Sequence, residues 1–336
     1  MHPIGKSLLA LLTGAGMLAA PAVAQVRTRV ASTAAAKKNW TAPRTPDGQP
    51  DLEGVWTNST ITPLERPADL GNKQFFTKEE AAAYEKKIGE QSNRDRRGGT
   101  GDTDVSGAYN EAWWDRGSKV VPSLRTSLIS DPPNGRLPAL TPSAQEAARR
   151  RAETLARPAN GPEDRTARER CIVGDNAGPP LMPSVYNNNF QIFQTANSVV
   201  ILSEMMHDVR VIPLDGRPHV PSSVRSWTGD SRGRWDGDTL VVETTNFNGK
   251  LSFHGSDENM RVVERFTRTA PDLIQYEFRI EDPTAFTSSW SAEVPLSATK
   301  GPIYEYACHE GNYAMIGLLA GARAEEKRQA EKAAGK

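Results

Sequence analysis

From Asn188 to Tyr306 the chain alternates polar and apolar residues in short runs separated by turn-sized gaps, a pattern that an antiparallel sheet accommodates and a helix does not. The stretch from Gly233 to Phe247, GRWDGDTLVVETTNF, sets the grammar: a strand, a tight Asp236-Gly237 turn, and a longer strand. The same reading gives strands at Phe190–Thr195, Ser198–Met206, Val209–Ile212, Arg232–Trp235, Asp238–Asn246, Met260–Arg268, Leu273–Glu281, Ser288–Leu296 and Ile303–Tyr306. Eight or nine such strands in meander order close most naturally into an antiparallel, calycin-like β-barrel that fills or holds one small ligand. Gly54-Val55-Trp56 ahead of them resembles the lipocalin entry signature, in which the Trp plugs one end.

The segments before the barrel are helical or irregular. Thr77 and Glu80 form a capping box, which predicts a helix to about Gln91. Thr141-Pro142 supplies an N-cap and a first-turn proline for a second helix to about Ala156, and a shorter helix follows over Pro162–Arg170. Strand-like residues at Leu124–Ile129 and Leu137–Leu140 flank an Asp-Pro-Pro-Asn-Gly turn, and Ser92–Gly107 reads as a mobile loop. The chain thus divides into a signal peptide over 1–24, a disordered lead-in over 25–48, one barrel domain over 49–322 with helical insertions at 77–91 and 141–170, and a charged tail over 323–336.

The signal-peptide reading rests on Lys6, an apolar run from Leu8 to Ala20, and Ala22-Val23-Ala24 ahead of Gln25. That run is too short for a membrane span, so the expected location is periplasmic or extracellular. In an oxidising compartment the two cysteines, Cys171 and Cys308, are expected to form a disulfide joining the pre-barrel segment to the last strand. The 41 basic residues balance 41 acidic ones, which argues against nucleic acid as a partner. A small-molecule ligand or substrate is the expected partner, and the sequence says nothing of oligomeric state.

Parity sorts the polar candidates. On Met260–Arg268 and Leu273–Glu281 the apolar sets face inward, which puts Glu264 beside Phe266, Tyr276 and Phe278 and away from Glu277. An unpaired carboxylate there would have a raised pKa suited to acid–base work, whereas a neighbouring Arg210 would make it a structural ion pair. The densest polar cluster, Glu204 to Arg210, carries His207, which can share a proton with Asp208 only if the strand bends. Glu243 alternates with Thr245 and is expected to line the lumen. His309 follows Cys308 at the rim, His219 and His254 are further imidazoles, and Glu293 is a further carboxylate. The adjacent Trp113 and Trp114, flanked by Glu111 and Asp115, either stack on a sugar or aromatic ligand at the barrel mouth or pin a loop.

No HExxH helix, CxxC pair, phosphate-binding loop, dinucleotide fingerprint or GxSxG elbow is present, so neither a metal nor another cofactor is implied. The blocks PDLEGVWTN, NNNFQI, MHDVRVIPLDGRPH, GDSRGRWDGDTLVVETTNF and YEYACHEGN resemble those of a widespread family of secreted bacterial proteins. That resemblance runs from about Pro46 to Arg323 and implies no particular activity.

Three readings follow. The first is a metal-independent acid–base enzyme (lyase, isomerase or hydrolase) acting on a small cyclic or aromatic substrate. In it Glu264 and His207 exchange protons with Asp208 in support, and Tyr276 donates to an oxyanion. Arg210 orients a polar group, Trp290 stacks, and Glu243, His219, His309, Trp113 and Trp114 complete the binding surface. The second is a ligand carrier with the same lumen. The third is an envelope interaction module.

Overall fold

The computed structural model describes residues 40–95, 101, 110–174 and 176–335. The proposed signal peptide, residues 25–39 of the lead-in and most of the loop after Ser92 lie outside the described residues.

Eleven strands form one sheet: β1 (Gly54–Thr57), β2 (Ile129–Asp131), β3 (Asn189–Thr195), β4 (Ser198–Ser203), β5 (Val209–Pro213), β6 (Asp230–Asp236), β7 (Thr239–Thr245), β8 (Arg261–Ala270), β9 (Leu273–Glu281), β10 (Trp290–Glu293) and β11 (Leu296–Ala298). Nine of them follow the antiparallel path β5-β4-β3-β1-β11-β9-β8-β7-β6, a nearly closed barrel. The order is not a plain meander. β1 pairs with β3 on one side and β11 on the other, so the N-terminal strand joins two hairpin arrays that the meander reading would have left adjacent. Its Trp56 is buried, donates from Nε1 to the Leu52 carbonyl at 3.0 Å, and lies under the Arg268 guanidinium.

The two ends of the path, β5 and β6, are not hydrogen-bonded to each other. Side chains close that seam. Gly233 of β6 leaves room for Ile212 and Leu214, whose methyl carbons lie 2.8 and 2.7 Å from where a Cβ would stand. Arg210 reaches from β5 to Ser231 on β6 at 2.9 Å.

The inward parity holds. Val262, Glu264 and Phe266 on β8 and Ile274, Tyr276, Phe278 and Ile280 on β9 are buried, with Phe266 paired to Tyr276 and Glu264 to Phe278. On β7 it is Leu240, Val242 and Thr244 that face in, so Glu243 faces out, contrary to the lumen expectation. Large side chains occupy the interior: Trp56, Phe190, Phe266, Tyr276, Phe278 and Trp290 are all fully buried. The aromatic content expected of the interior is there, but its surface is mostly apolar and packed.

The expected strand over Ser288–Leu296 is two strands. Pro295 has no N–H to offer a ladder, and the chain switches there from β10, which pairs with β2 and β9, to β11, which pairs with β1 and β9. Ile303–Tyr306 is not a strand at all: the Tyr304 N–H donates to a Glu204 carboxylate oxygen at 3.0 Å instead of to a neighbouring strand.

Helix α1 (Lys78–Ser92) starts at the Thr77 capping box and α2 (Pro142–Ala156) at the Thr141 cap, both as their sequences require. The segment after α2 keeps only a single 3-10 turn at Pro162–Asp164 rather than a helix to Arg170. The C-terminal tail is the larger departure. Helix α3 (Tyr313–Ala333) runs through the boundary expected at 322, supported by pairs such as Arg323 with Glu326 and Arg328 with Glu325. Residues 40–48 are also part of the fold: Ala42 is buried, and Arg44 pairs with Asp238 at 2.5 Å.

Cys171 and Cys308 are bonded, with Cα atoms 5.6 Å apart. Cys308 lies after β11, in the turn that leads to α3, so the bond staples the pre-barrel loop to the C-terminal segment rather than to a strand. Among the described residues no helix is long and apolar enough to cross a membrane.

Candidate functional site

The polar centre of the barrel is a closed circuit. Arg210 Nη1 donates to Glu264 Oε1 at 3.0 Å, and its Nη2 donates both to Glu264 Oε2 and to Thr244 Oγ1, the latter at 2.9 Å. Tyr276 donates to Glu264 Oε1 at 2.9 Å and accepts the Leu181 N–H at 2.9 Å. Ser231 and Thr244 hydroxyls meet at 2.9 Å. Burial, reinforced by the Glu264 charge, holds the Tyr276 phenol well above its ordinary pKa, so it stays a proton donor to the carboxylate. Both carboxylate oxygens are committed, and Glu264 and Tyr276 are fully enclosed. This is the ion-pair alternative of the sequence reading, and, fully enclosed, it offers a substrate no open face.

His207 is elsewhere. The chain turns sharply between β4 and β5, with Met206 and His207 both at positive φ (59° and 42°), and His207 is exposed on that turn. The bend lets His207 influence Asp208, whose half-buried carboxyl is raised by burial and partly lowered again by the imidazole. The structure therefore brings Glu264, Tyr276 and Arg210 together. Among the described residues His207 and Asp208 are neighbours in sequence with no hydrogen bond between them, and Asp208 Oδ2 lies buried without a partner.

The remaining candidates disperse. Trp290 is buried among Phe253, Phe278 and Phe286, with its ring stacked on Phe253 at 5.9 Å, and presents no face to solvent. His219 sits between Asp230 (Nδ1 at 2.7 Å) and Glu243 (Nε2 at 3.5 Å), and Glu243 also holds Arg261, which makes an outer-face charge ladder with Glu281. His309 is exposed on the turn after Cys308. Glu293 lies 3.6 Å from Arg125, and its burial still raises the carboxyl pKa. Among the described residues no group of three or more His, Cys, Asp or Glu is arranged to hold a metal.

Trp113 and Trp114 do reach a cavity. They border a cleft of about 690 Å³ together with Tyr186, Tyr304 and Tyr306, gathered from three chain segments far apart in sequence. Tyr186 and Tyr306 stack with centroids 6.1 Å apart. Arg94 and Arg116 lie over Trp114 at 4.7 and 5.4 Å, and Arg168 donates to the Tyr186 hydroxyl at 3.0 Å. Trp113 and Tyr304 are displayed, 68% and 67% exposed.

The polar groups of this cleft are Asp115, Asn187, Asn189 and Glu204. Glu204 is almost fully buried and fixed by the Tyr304 N–H at 3.0 Å and by Asn189 Nδ2 at 2.9 Å. The Asp115 backbone is tied to Asn188 and Ser59, at 2.7 and 2.8 Å. The sequence alone reads Tyr304 and Tyr306 as part of a strand, and it neither singles out Tyr186 nor assigns the Asn187-Asn188-Asn189 run to a site. A strand reading alternates the two tyrosines with Glu305 and gives no local signal that they meet Tyr186.

A second cleft of about 530 Å³ lies between the 173–183 loop and the 247–260 segment and contains His254. Its walls are mainly apolar. No family model, curated protein or solved structure matches the chain.

Proposed function

We propose that this protein is an exported small-molecule-binding protein whose barrel is a rigid scaffold and whose ligand, a sugar or similar uncharged ring bearing hydroxyls, lies in the aromatic cleft. The observation that carries this reading is the display of Trp113 and Tyr304 at the edge of a cleft whose other walls include Trp114, Tyr186 and Tyr306. Large aromatic faces left in water are costly, and a cluster of them beside fixed polar groups is the usual make-up of a ligand site.

The chemistry of the lining narrows the ligand. Flat rings offer faces to the C–H side of a sugar, while Asp115 and the two asparagines accept from or donate to its hydroxyls and the buried Glu204 holds Tyr304 and Asn189 in place. Arg94 and Arg116 lie over the Trp114 ring and Arg168 over the Tyr186 ring, which holds these aromatic faces in place at the cleft. The signal-peptide reading and the disulfide support an oxidising, extracytoplasmic setting. The ion-paired state of Glu264 favours this binding reading over proton transfer inside the barrel.

The test is a binding screen of the mature, oxidised protein against neutral mono- and oligosaccharides by calorimetry, with intrinsic Trp fluorescence as a second readout. Saturable binding that is lost in Trp113→Ala supports the reading. Binding unaffected by Trp113→Ala and by Tyr304→Ala, or no saccharide binding at all, overturns it.

A further inference from the structure

We propose that the second cleft is a binding site for small uncharged aromatic molecules of the phenol class, with the His254 imidazole accepting the ligand's hydroxyl hydrogen. The site is separate from the aromatic cleft and shares no lining residue with it.

The turn that carries His254 is built to hold a ring in the cleft. Phe253 and Ser256 exchange backbone hydrogen bonds at 2.7 and 3.0 Å, which makes His254 and Gly255 the central pair of a two-residue turn. Both have positive φ, 53° and 107°. That conformation suits Asn or Gly at its first position, so the backbone does not call for histidine there. The turn is locked from below: the fully buried Ser256 hydroxyl donates to Asp282 at 2.5 Å. At Gly255 a Cβ would stand 2.7 Å from Leu140 Cδ2, so glycine lets the turn sit close against that side chain.

The imidazole is packed edge-on against Phe253 at 4.8 Å and Trp290 at 6.3 Å, while its open side borders the cleft. Among the described residues neither ring nitrogen makes a hydrogen bond. The charged groups near it are Glu65, which favours protonation, and Asp257, also on the cleft and countered by Arg151 at 3.8 Å. His254 is exposed along its open side, yet the burial of its packed faces outweighs Glu65 and holds its pKa below the ordinary value, so the neutral ring predominates near pH 7. A neutral imidazole offers one lone pair to an O–H donor.

The other walls set the ligand's body. Trp227, Phe247 and Phe253 are aromatic, and the thioethers of Met182 and Met260 pack well against ring edges. Among the described residues that line the cleft there is no Lys or Arg to receive a carboxylate; Lys250 lies over the Trp227 ring at 5.9 Å, and Asp257 on the wall itself disfavours an anion. Its volume suits one or two fused rings. A hydroxyl on an otherwise apolar ring gives the imidazole lone pair a donor.

The experiment compares 2-naphthol, 2-methoxynaphthalene and naphthalene by calorimetry on the full mature protein at pH 7.5. The naphthol should bind about tenfold more tightly than its methyl ether, the worth of one hydrogen bond. In His254→Phe that difference should vanish while naphthalene affinity stays. His254→Asn, which keeps a residue suited to positive φ, guards against misfolding and should lower naphthol affinity by a similar factor. On binding to the wild type, one ¹⁵N resonance of His254 should shift. Equal affinity for naphthol and its ether, unchanged naphthol affinity in both variants, or no binding of any of the three overturns the proposal.

Discussion

Arg210 on β5 and Glu264 on β8 form a buried ion pair, Nη1 to Oε1 at 3.0 Å, across strands that stand at and near opposite ends of the sheet path. No backbone ladder joins β5 to β6, so this side chain, with its further bonds to Ser231 and Thr244, is the polar clasp of the barrel seam.

Removing one partner should be far worse than removing both. Arg210→Ala strands a fully buried carboxylate and should cost about 3–5 kcal/mol in urea unfolding, whereas Arg210→Met with Glu264→Leu should recover most of that loss. A single-mutant loss below 1 kcal/mol would show that the seam is held by Ile212 and Leu214 instead.

Tyr276 gives a high-pH signature. Its folded pKa is raised, so above the ordinary value of 10.0 the folded state holds a proton that the unfolded state releases, and stability should fall as pH rises from there. Tyr276→Phe removes that term along with a hydrogen bond to Glu264 and the partner of the Leu181 N–H, at a cost of about 1–3 kcal/mol at neutral pH. Parallel alkaline unfolding curves for the two proteins would refute the assignment.

The disulfide should matter most to the C-terminal segment. It spans 137 residues, and replacing both cysteines with serine should cost about 2–5 kcal/mol. Near it, α3 is held to the pre-barrel region by Asn312 on the Glu169 carbonyl and Arg323 on the Ala159 and Asn160 carbonyls. Limited proteolysis after reduction should therefore cut first between 299 and 312, before the barrel strands.

In the aromatic cleft, Trp113→Ala and Tyr304→Ala should each weaken saccharide binding about tenfold or more while leaving the melting temperature nearly unchanged, because neither side chain is part of the core. Glu204→Gln should weaken binding too. It also perturbs the Tyr304 N–H and Asn189 contacts, so a fall in melting temperature is expected there.

His254 should titrate below its ordinary value of 6.5 in an NMR pH series. Between the folded and unfolded pKa values the unfolded chain binds more protons, so this group makes stability rise with pH and lets it fall as pH drops below about 6.5. His254→Asn should flatten that part of the stability profile; an unaltered slope would assign it to other groups.

The sequence by itself determined the local terms. Alternation placed β8 and β9 with Glu264 beside Tyr276 and Phe278, because a period of two admits only one buried face. Capping chemistry fixed the starts of α1 and α2 within a residue. The tertiary structure decided what depends on distant partners: the insertion of β1 between β3 and β11, the split at Pro295, and the outward turn of Glu243. It also decided which candidates meet. Whether Glu264 is a base or half of an ion pair depends on Arg210, 54 positions away, and the cleft around Trp113 needs tyrosines from segments more than 70 and 190 residues downstream. Such encounters carry no local periodicity, since long-range contacts are fixed by packing rather than by spacing along the chain.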